Sequence, residues 1–414
     1  MFFRNLSIVL LVLIMGDGFS QAVSQPGVID ARSFDFGNKR LNLGGTWIWY
    51  DGKLLSPAEL KYNDGVPTEV PGTWNERRSS ESGQGIATYE LKILISPASE
   101  LLALEIPDIY SSYVLYENGV EVTRNGVPGK TAQSTMPQWK PGVVPLNLKS
   151  DTIQLVLQIA NFNHHKGGMK EPIFMSSASI LSQKAFLSLT GKAIAMGLLL
   201  TLALGFLVVY FRNGRKKVVI YFSLLCATWC VRSMFSNDYM ITKFYPDFDW
   251  NMMVRIEYIT LYLTMIWAIL FLCRLFANEG HQVVKYLLVT FNCGFVIYTL
   301  LSPPVDFTRL LPLYLITAGV LLVYGAGIVL IALINERRGA TFLTISVMLG
   351  LAIYSYDIFA YEGWASYNSI LFSLGYLVIF MLMGVALLLH LEIIKNTSTK
   401  TTMLKYEDLY KGDS

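Results

Sequence analysis

The first 184 of the 414 residues contain no cysteine; all four (Cys226, Cys230, Cys273, Cys293) lie in long apolar runs further on. The N-terminal part must therefore fold without disulfides, and neither a disulfide framework nor a cysteine-based zinc site is available to it. Cys226 and Cys230, four residues apart, share a helix face, but two thiols among apolar neighbours read as packing. Histidine is equally scarce, at four residues. Catalytic signatures are missing too: there is no Gly-x-Ser-x-Gly elbow, no Gly-x4-Gly-Lys-Ser/Thr phosphate loop and no His-Glu-x-x-His. His390 is followed by Leu391 rather than by an acidic residue, so it reads as an interfacial histidine and not as a phosphoacceptor. Nor is there charge of one dominant sign. The balance is +3, without a basic stripe interleaved with aromatics, which excludes a nucleic-acid surface.

What the chain does have is apolar length. Residues 1–22 read as a secretory signal, with Arg4 ahead of an apolar stretch from Leu6 to Met15 and a small-x-small site at Ser20-Gln21-Ala22. After residue 184, seven runs approach the ~20 residues needed to cross a bilayer, over 187–211, 218–236, 252–276, 283–301, 309–334, 340–360 and 367–392. Alternate connections carry Arg212, Arg215, Lys216 and Lys217, then Lys285, then Arg337 and Arg338. The other connections hold little beyond Lys243 and Arg309. That asymmetry places the N-terminal part outside and the C-terminus in the cytoplasm.

Ionisable residues within or beside the spans sit toward their outer ends: Arg232 in the second, Arg255 and Glu257 in the third, Asp357 and Glu362 around the sixth. Charges in spans are costly and usually face a bundle interior or cavity. They read either as a polar network beneath the N-terminal domain, able to couple its movement to the helices, or as interfacial snorkelling and a purely structural pair. Ala193, Gly197, Thr201 and Gly205 recur every four residues. Such a stripe serves either a dimer seam or close helix packing inside the bundle.

Before the spans the pattern has period two. Tyr89, Leu91, Ile93 and Ile95 fall on one face of a strand, and Ile153, Leu155, Leu157 and Ile159 on one face of another. Asn118-Gly119 between two apolar runs predicts a type I′ hairpin. Short strands punctuated by Pro-Gly and Asn-Gly predict an all-β sandwich over 30–184.

Three stretches carry a resemblance: Val70-Pro71-Gly72-Thr73-Trp74-Asn75, then Gly85-Ile86-Ala87-Thr88-Tyr89, then Ile159-Ala160-Asn161-Phe162-Asn163-His164-His165-Lys166-Gly167-Gly168. With Tyr116-Glu117-Asn118-Gly119-Val120 between them, they resemble the galactose-binding-like jelly roll. In particular they resemble the second extracellular domain type of the bacterial seven-transmembrane receptors with diverse intracellular signalling modules. The resemblance implies a jelly-roll ectodomain over 30–184, a seven-helix domain over 185–395 and a bacterial inner-membrane location. It also implies an extracytoplasmic carbohydrate or small-molecule ligand, a cytoplasmic signalling enzyme as partner, and homodimerisation. Aromatic faces stack on sugar rings while Asn and His give directional hydrogen bonds. Trp74, Asn75, Asn161, Asn163, His164 and His165 are therefore the candidate ligand contacts, with Trp74 equally readable as a sandwich-core aromatic. Neither a metal nor a cofactor is expected, because adjacent histidines hardly share one ion and no acidic loop has calcium spacing.

Residues 396–414 are expected to form a short cytoplasmic tail, with too few apolar positions for a coiled coil. A cytoplasmic effector needs at least ~50 residues and commonly ~100, so the expected output is delivered to another chain, without enzymatic activity in this one. Three other readings stay open: a transporter or accessory subunit with a substrate-capture ectodomain, a structural cell-envelope protein whose jelly roll adheres to polysaccharide, and a sensor kinase or cyclase receptor truncated of its effector.

Overall fold

A computed structural model describes residues 24–78, 82–96, 100–147, 150–212, 214–361 and 368–411, with only the backbone described at 361 and 392–411. The signal segment 1–22, Glu362 and the tail side chains lie outside the described residues.

Among the described residues the N-terminal part has fourteen strands: β1 (Ser24–Gln25), β2 (Val28–Asp30), β3 (Leu41–Asn42), β4 (Gly45–Asp51), β5 (Val66–Val70), β6 (Gly72–Thr73), β7 (Gly85–Leu94), β8 (Leu102–Ile106), β9 (Ser112–Glu117), β10 (Val120–Asn125), β11 (Gly142–Pro145), β12 (Thr152–Asn161), β13 (Gly168–Met169) and β14 (Phe174–Ser177). One sheet runs β1-β2-β7-β12-β9-β10, with β4 attached to β7 and β5 to β4; a four-stranded sheet runs β11-β8-β14-β3. Strand β12 pairs antiparallel with β7 along its whole length, from Thr152 opposite Leu94 to Asn161 opposite Gly85. Period two then does the rest. Tyr89, Leu91, Ile93, Ile153, Leu155, Leu157 and Ile159 share the inward face and meet Leu104, Leu41 and Met175 of the second sheet in one core. Each fully buried Leu or Ile stabilises the fold by about 1.5–3 kcal/mol relative to exposure. The hairpin forms as predicted, with positive φ at both Asn118 (46°) and Gly119 (87°) and Val120 opposite Glu117. The architecture is a jelly-roll-type sandwich followed by seven apolar helices.

The helices are α1 (Ala178–Arg212), α2 (Lys217–Phe235), the short α3 (Ile241–Phe244), α4 (Trp250–Leu275), α5 (Gln282–Leu301), the short α6 (Pro304–Arg309), α7 (Leu311–Ile334), α8 (Ala340–Tyr361) and α9 (Ser369–Lys411). All but α3 and α6 are long and apolar enough to span a membrane. Helices α1, α2, α4, α7, α8 and α9 pack neighbour to neighbour into a closed ring, and α5 packs outside it against α4. Helix α1 starts at Ala178, well before the expected 187. Its first turns mix Ile180, Leu181 and Phe186 with Ser179, Ser182, Gln183 and Lys184 and stand on the sandwich, so they do not extend the continuous apolar run that marks the span. The small-residue stripe of α1 also ends up elsewhere than inside the bundle. Ala193, Gly197, Thr201 and Gly205 are all exposed, and a Cβ on Gly197 or Gly205 would meet nothing within 4 Å. Close packing within the bundle is therefore not the reason for it.

Candidate functional site

Strand β14 passes into α1 without a loop: Ala178 N–H donates to Leu101 O at 2.7 Å. Nearly two turns on, Lys184 Nζ reaches both Glu105 oxygens at 2.8 and 2.9 Å, and Arg40 Nη1 donates to Glu105 at 3.1 Å, fastening α1 to β8. Loops add three further attachments. Gln138 Nε2 donates to Pro246 O at 2.8 Å, Lys243 Nζ to Pro141 O at 2.9 Å, and His165 N–H to Thr308 Oγ1 at 3.0 Å. The sandwich thus grips α1, the α2–α4 connection and the α5–α7 connection. These lie at the end of the bundle opposite the connections rich in Arg and Lys.

Beneath this joint lies a cavity of about 310 Å³ lined by both parts of the chain. From the sandwich come Asp108, Tyr110, Trp139, His164, Lys170 and Glu171; from the helices come Lys192, Arg232, Tyr239, Glu257 and Asp357. Lys170 Nζ lies 3.0 Å from Asp108 and 3.8 Å from Glu171. Burial pulls the Lys170 ammonium toward neutrality, but the two carboxylates more than offset this and hold its pKa above the usual lysine value. Burial also pushes the Glu171 carboxyl up, with Lys170 opposing. Lys192, almost fully buried in α1, lies 3.3 Å from Asp238 and donates to Ser236 O at 3.1 Å. Asp238 in turn accepts from Ser188 at 3.2 Å and from Ser369 at 2.7 Å, so a single carboxylate ties together α1, the end of α2 and the start of α9. Buried charges need such compensation, because desolvation of each ion costs several kcal/mol.

Of the expected coupling residues, Arg232, Glu257 and Asp357 line this cavity together. Arg232 Nη1 donates to the Glu257 carbonyl at 2.7 Å, and Tyr239 OH donates to the Glu257 carboxylate at 3.4 Å. Arg255 turns away. Its guanidinium donates to Thr299 O, and to Ser302 O at 2.8 Å, satisfying carbonyls at the C-terminal end of α5, where a cation also complements the helix dipole.

Of the expected ligand contacts, only His164 lines the cavity. Trp74 is fully buried, its Nε1 donating to Tyr89 OH at 2.8 Å and its ring covered by Arg78 at 4.3 Å. Asn161 Nδ2 donates to the carbonyls of Gly83 (2.8 Å), His164 (2.9 Å) and Lys166 (2.9 Å), and its Oδ1 accepts from His164 N–H at 3.0 Å. Asn75 Nδ2 donates to His165 O at 3.0 Å, and its Oδ1 accepts from Gly167 N–H at 3.2 Å. Asn163 N–H donates to Asn161 Oδ1 at 3.3 Å. The amides of Asn75 and Asn161 shape the 161–168 loop, and that loop delivers His164 to the cavity and His165 to Thr308.

His164 stacks on Tyr110 at 4.9 Å and accepts at Nδ1 from Lys166 N–H at 3.1 Å. Burial pushes its imidazole from 6.5 down to about 3. The folded state therefore resists protonation. The His164 contribution to stability is fully present above pH 6.5 and is lost as pH falls from there toward 3, by about 1.4 kcal/mol per unit. In thermal unfolding of the full chain, His164→Gln should flatten the acid loss of stability across this window. An unchanged slope would show that the histidine is not held neutral.

Asp108, Lys170, Glu171, Lys192 and Asp238 also meet around the cavity without a motif in the sequence to mark them. Only Lys192 carried a local signal, as a lysine inside an apolar run. No three His, Cys, Asp or Glu side chains among the described residues come together closely enough to hold a metal ion.

Residues 190–390 match the family model described as 7TM diverse intracellular signalling. No curated protein matches the chain. Among solved structures it is similar to a beta-glucuronidase from an uncultured Clostridium sp., at 16% identity over 33% of this chain and 28% of that one, with a TM-score of 0.27. Similar again are the Ruminococcus gnavus beta-glucuronidase (14%, 33% and 28%, TM-score 0.26) and an Eisenbergiella tayi beta-galacturonidase bound to galacturonate (16%, 35% and 26%, TM-score 0.25). The chain spans less than a third of the length of each, and so partial a likeness says nothing of its ligand or activity. Through the match over 190–390 and its seven apolar helices, the helical part of the chain is a seven-helix domain of the 7TM diverse intracellular signalling type.

Proposed function

We propose that the protein is a receptor of the bacterial inner membrane, with its sandwich outside. The sandwich and the outer ends of the helices together sense a carbohydrate or another small molecule, and the bundle relays its binding to a cytoplasmic signalling enzyme. One observation carries the reading: a cavity walled jointly by the sandwich and the helix ring, with buried ion pairs around it. An occupant of such a cavity bears on both parts at once. It can shift the equilibrium between two bundle arrangements only insofar as it binds them unequally. The Lys192–Asp238 pair and the Ser369 contact place three helices within reach of one such rearrangement.

The relay is testable with spin labels at Val120→Cys on the sandwich and Ile334→Cys at the far end of α7, both exposed positions, in a chain carrying Cys293→Ser. A compound found to bind the full chain in a glycan and metabolite screen should change the distance distribution between the labels. A tightly bound compound that leaves it unchanged would sink the relay.

A further inference from the structure

The cavity is long and chemically two-ended. Along α4 its lining runs Glu257, Leu261, Thr264, Ala268, Leu272, the spacing of one helix face. Fifteen residues separate Glu257 from Leu272, about 22 Å at 1.5 Å per residue. Helix α8 follows the same depth from Asp357 through Gly350 to Leu343. All charged lining lies at the sandwich end. Below it the walls are apolar, and the hydroxyls present are already bonded: Thr264 Oγ1 to Thr260 O at 2.7 Å and Ser346 Oγ to Ile379 O at 3.3 Å. Such a shaft offers water few partners and suits hydrocarbon. Its depth exceeds one leaflet of a bilayer core, about 15 Å, the reach of a single acyl chain.

The upper end lacks positive charge. Five carboxylates (Asp108, Glu171, Asp238, Glu257, Asp357) stand against Lys170, Lys192 and Arg232, with Asp238 just behind the lining. Lys170 serves two of the carboxylates, Lys192 serves Asp238, and Arg232, whose guanidinium donates to a carbonyl, is left to face both Glu257 and Asp357, one cation for two carboxylates. Glu257 accepts only from Tyr239, and Asp357 has no hydrogen bond or ion pair among the described residues. Rings of Trp139, Tyr239, Trp229 and Tyr376 complete a wall that suits an organic cation. The dispersed carboxylates do not converge on a metal ion.

We infer that the cavity binds a single-chain amphiphile, its amine head between Glu257, Asp357 and the aromatic rings and its alkyl chain in the shaft. This deepens the receptor reading by naming its ligand class, and rests on that reading only for what binding then does. The test uses the full chain in nanodiscs, with bound molecules counted by native mass spectrometry after titration with dodecylamine, dodecanoate or butylamine. One dodecylamine should bind per chain, at least tenfold more tightly than either of the others. Glu257→Gln with Asp357→Asn should weaken it at least tenfold. Gly350→Leu should do the same by filling the shaft, its Cβ meeting only Ile379 Cδ1, at 3.9 Å, with an unchanged unfolding midpoint as the check that the fold is kept. Preference for dodecanoate, equal binding of butylamine, no binding at all, or full binding by Gly350→Leu would each overturn the inference. An amine amphiphile already present on the purified protein would point to the bilayer as its source, and a chain that fills only on titration to the aqueous side; either supports the site. Dodecylamine binding without a change in the Val120–Ile334 distance would sink the relay and leave the site standing.

Discussion

Lys170→Met should lower the stability of the full chain by about 3 kcal/mol, the loss expected when one partner of a buried ion pair is removed. Asp108 is almost fully buried, and Lys170 is the cation within 4 Å of both its carboxylate and that of Glu171. Methionine keeps most of the side-chain volume, so the loss reports charge and not a hole. The unfolding midpoint of the sandwich should fall by roughly 6–12 °C, at about 2–4 °C per kcal/mol for a unit of this size. Adding Asp108→Asn should recover more than half of the loss, because the most buried stranded carboxylate is then neutral; recovery of this kind is the signature of direct coupling. A drop that Asp108→Asn does not relieve would assign Lys170 a packing role. The alkaline side offers a second check. The folded-state pKa of Lys170 is raised, so its contribution is fully present below 10.5 and lost as pH climbs through the folded value. The Lys170→Met chain should lack that component.

Trp74→Ala should cost about 3–5 kcal/mol, the range for deleting a fully buried aromatic. The indole fills space from which a Cβ on Gly168 would already be excluded, lying 2.7 Å from Trp74 Cδ1 and Nε1. Removing it also strips Tyr89 of the N–H donor at 2.8 Å within the core. Trp74→Phe should cost less and leave the Tyr89 hydroxyl without its partner. Thermal unfolding of both variants decides between an architectural tryptophan and a ligand platform. If Trp74→Phe keeps the wild-type midpoint yet abolishes binding of a ligand found by screening, the core assignment fails.

Much of the fold is legible along the chain. The inward faces of β7 and β12 follow from alternation at 89–93 and 153–159, and the Asn118-Gly119 turn from two residues that tolerate positive φ. The helices follow from the length and apolarity of seven runs. Legibility stops where partners are remote. His164 reads as a ligand contact from its residue type, but its place in the cavity depends on Asn75 and Asn161 folding the 161–168 loop. Arg255 and Glu257 are two residues apart on one helix, and that spacing points them in different directions: Glu257 into the cavity, Arg255 to the carbonyls ending α5. Their shared charge class suggested a shared role that the helix period denies.

The sequence by itself determined the elements: which segments are strands, which are long enough to cross a bilayer, and which face of each strand is apolar. Those features answer to constraints acting within a few residues, the pairing of backbone groups and the removal of apolar surface from water. Only the tertiary structure decided that Asp108, Lys170, Lys192, Asp238, Glu257 and Asp357, spread over some 250 positions, surround one cavity between sandwich and helices. A charge in a sequence gives no sign of its counterion. The Coulomb energy and the desolvation it offsets depend on distance and burial in space, and these exist only once the sandwich is seated on the ring of helices.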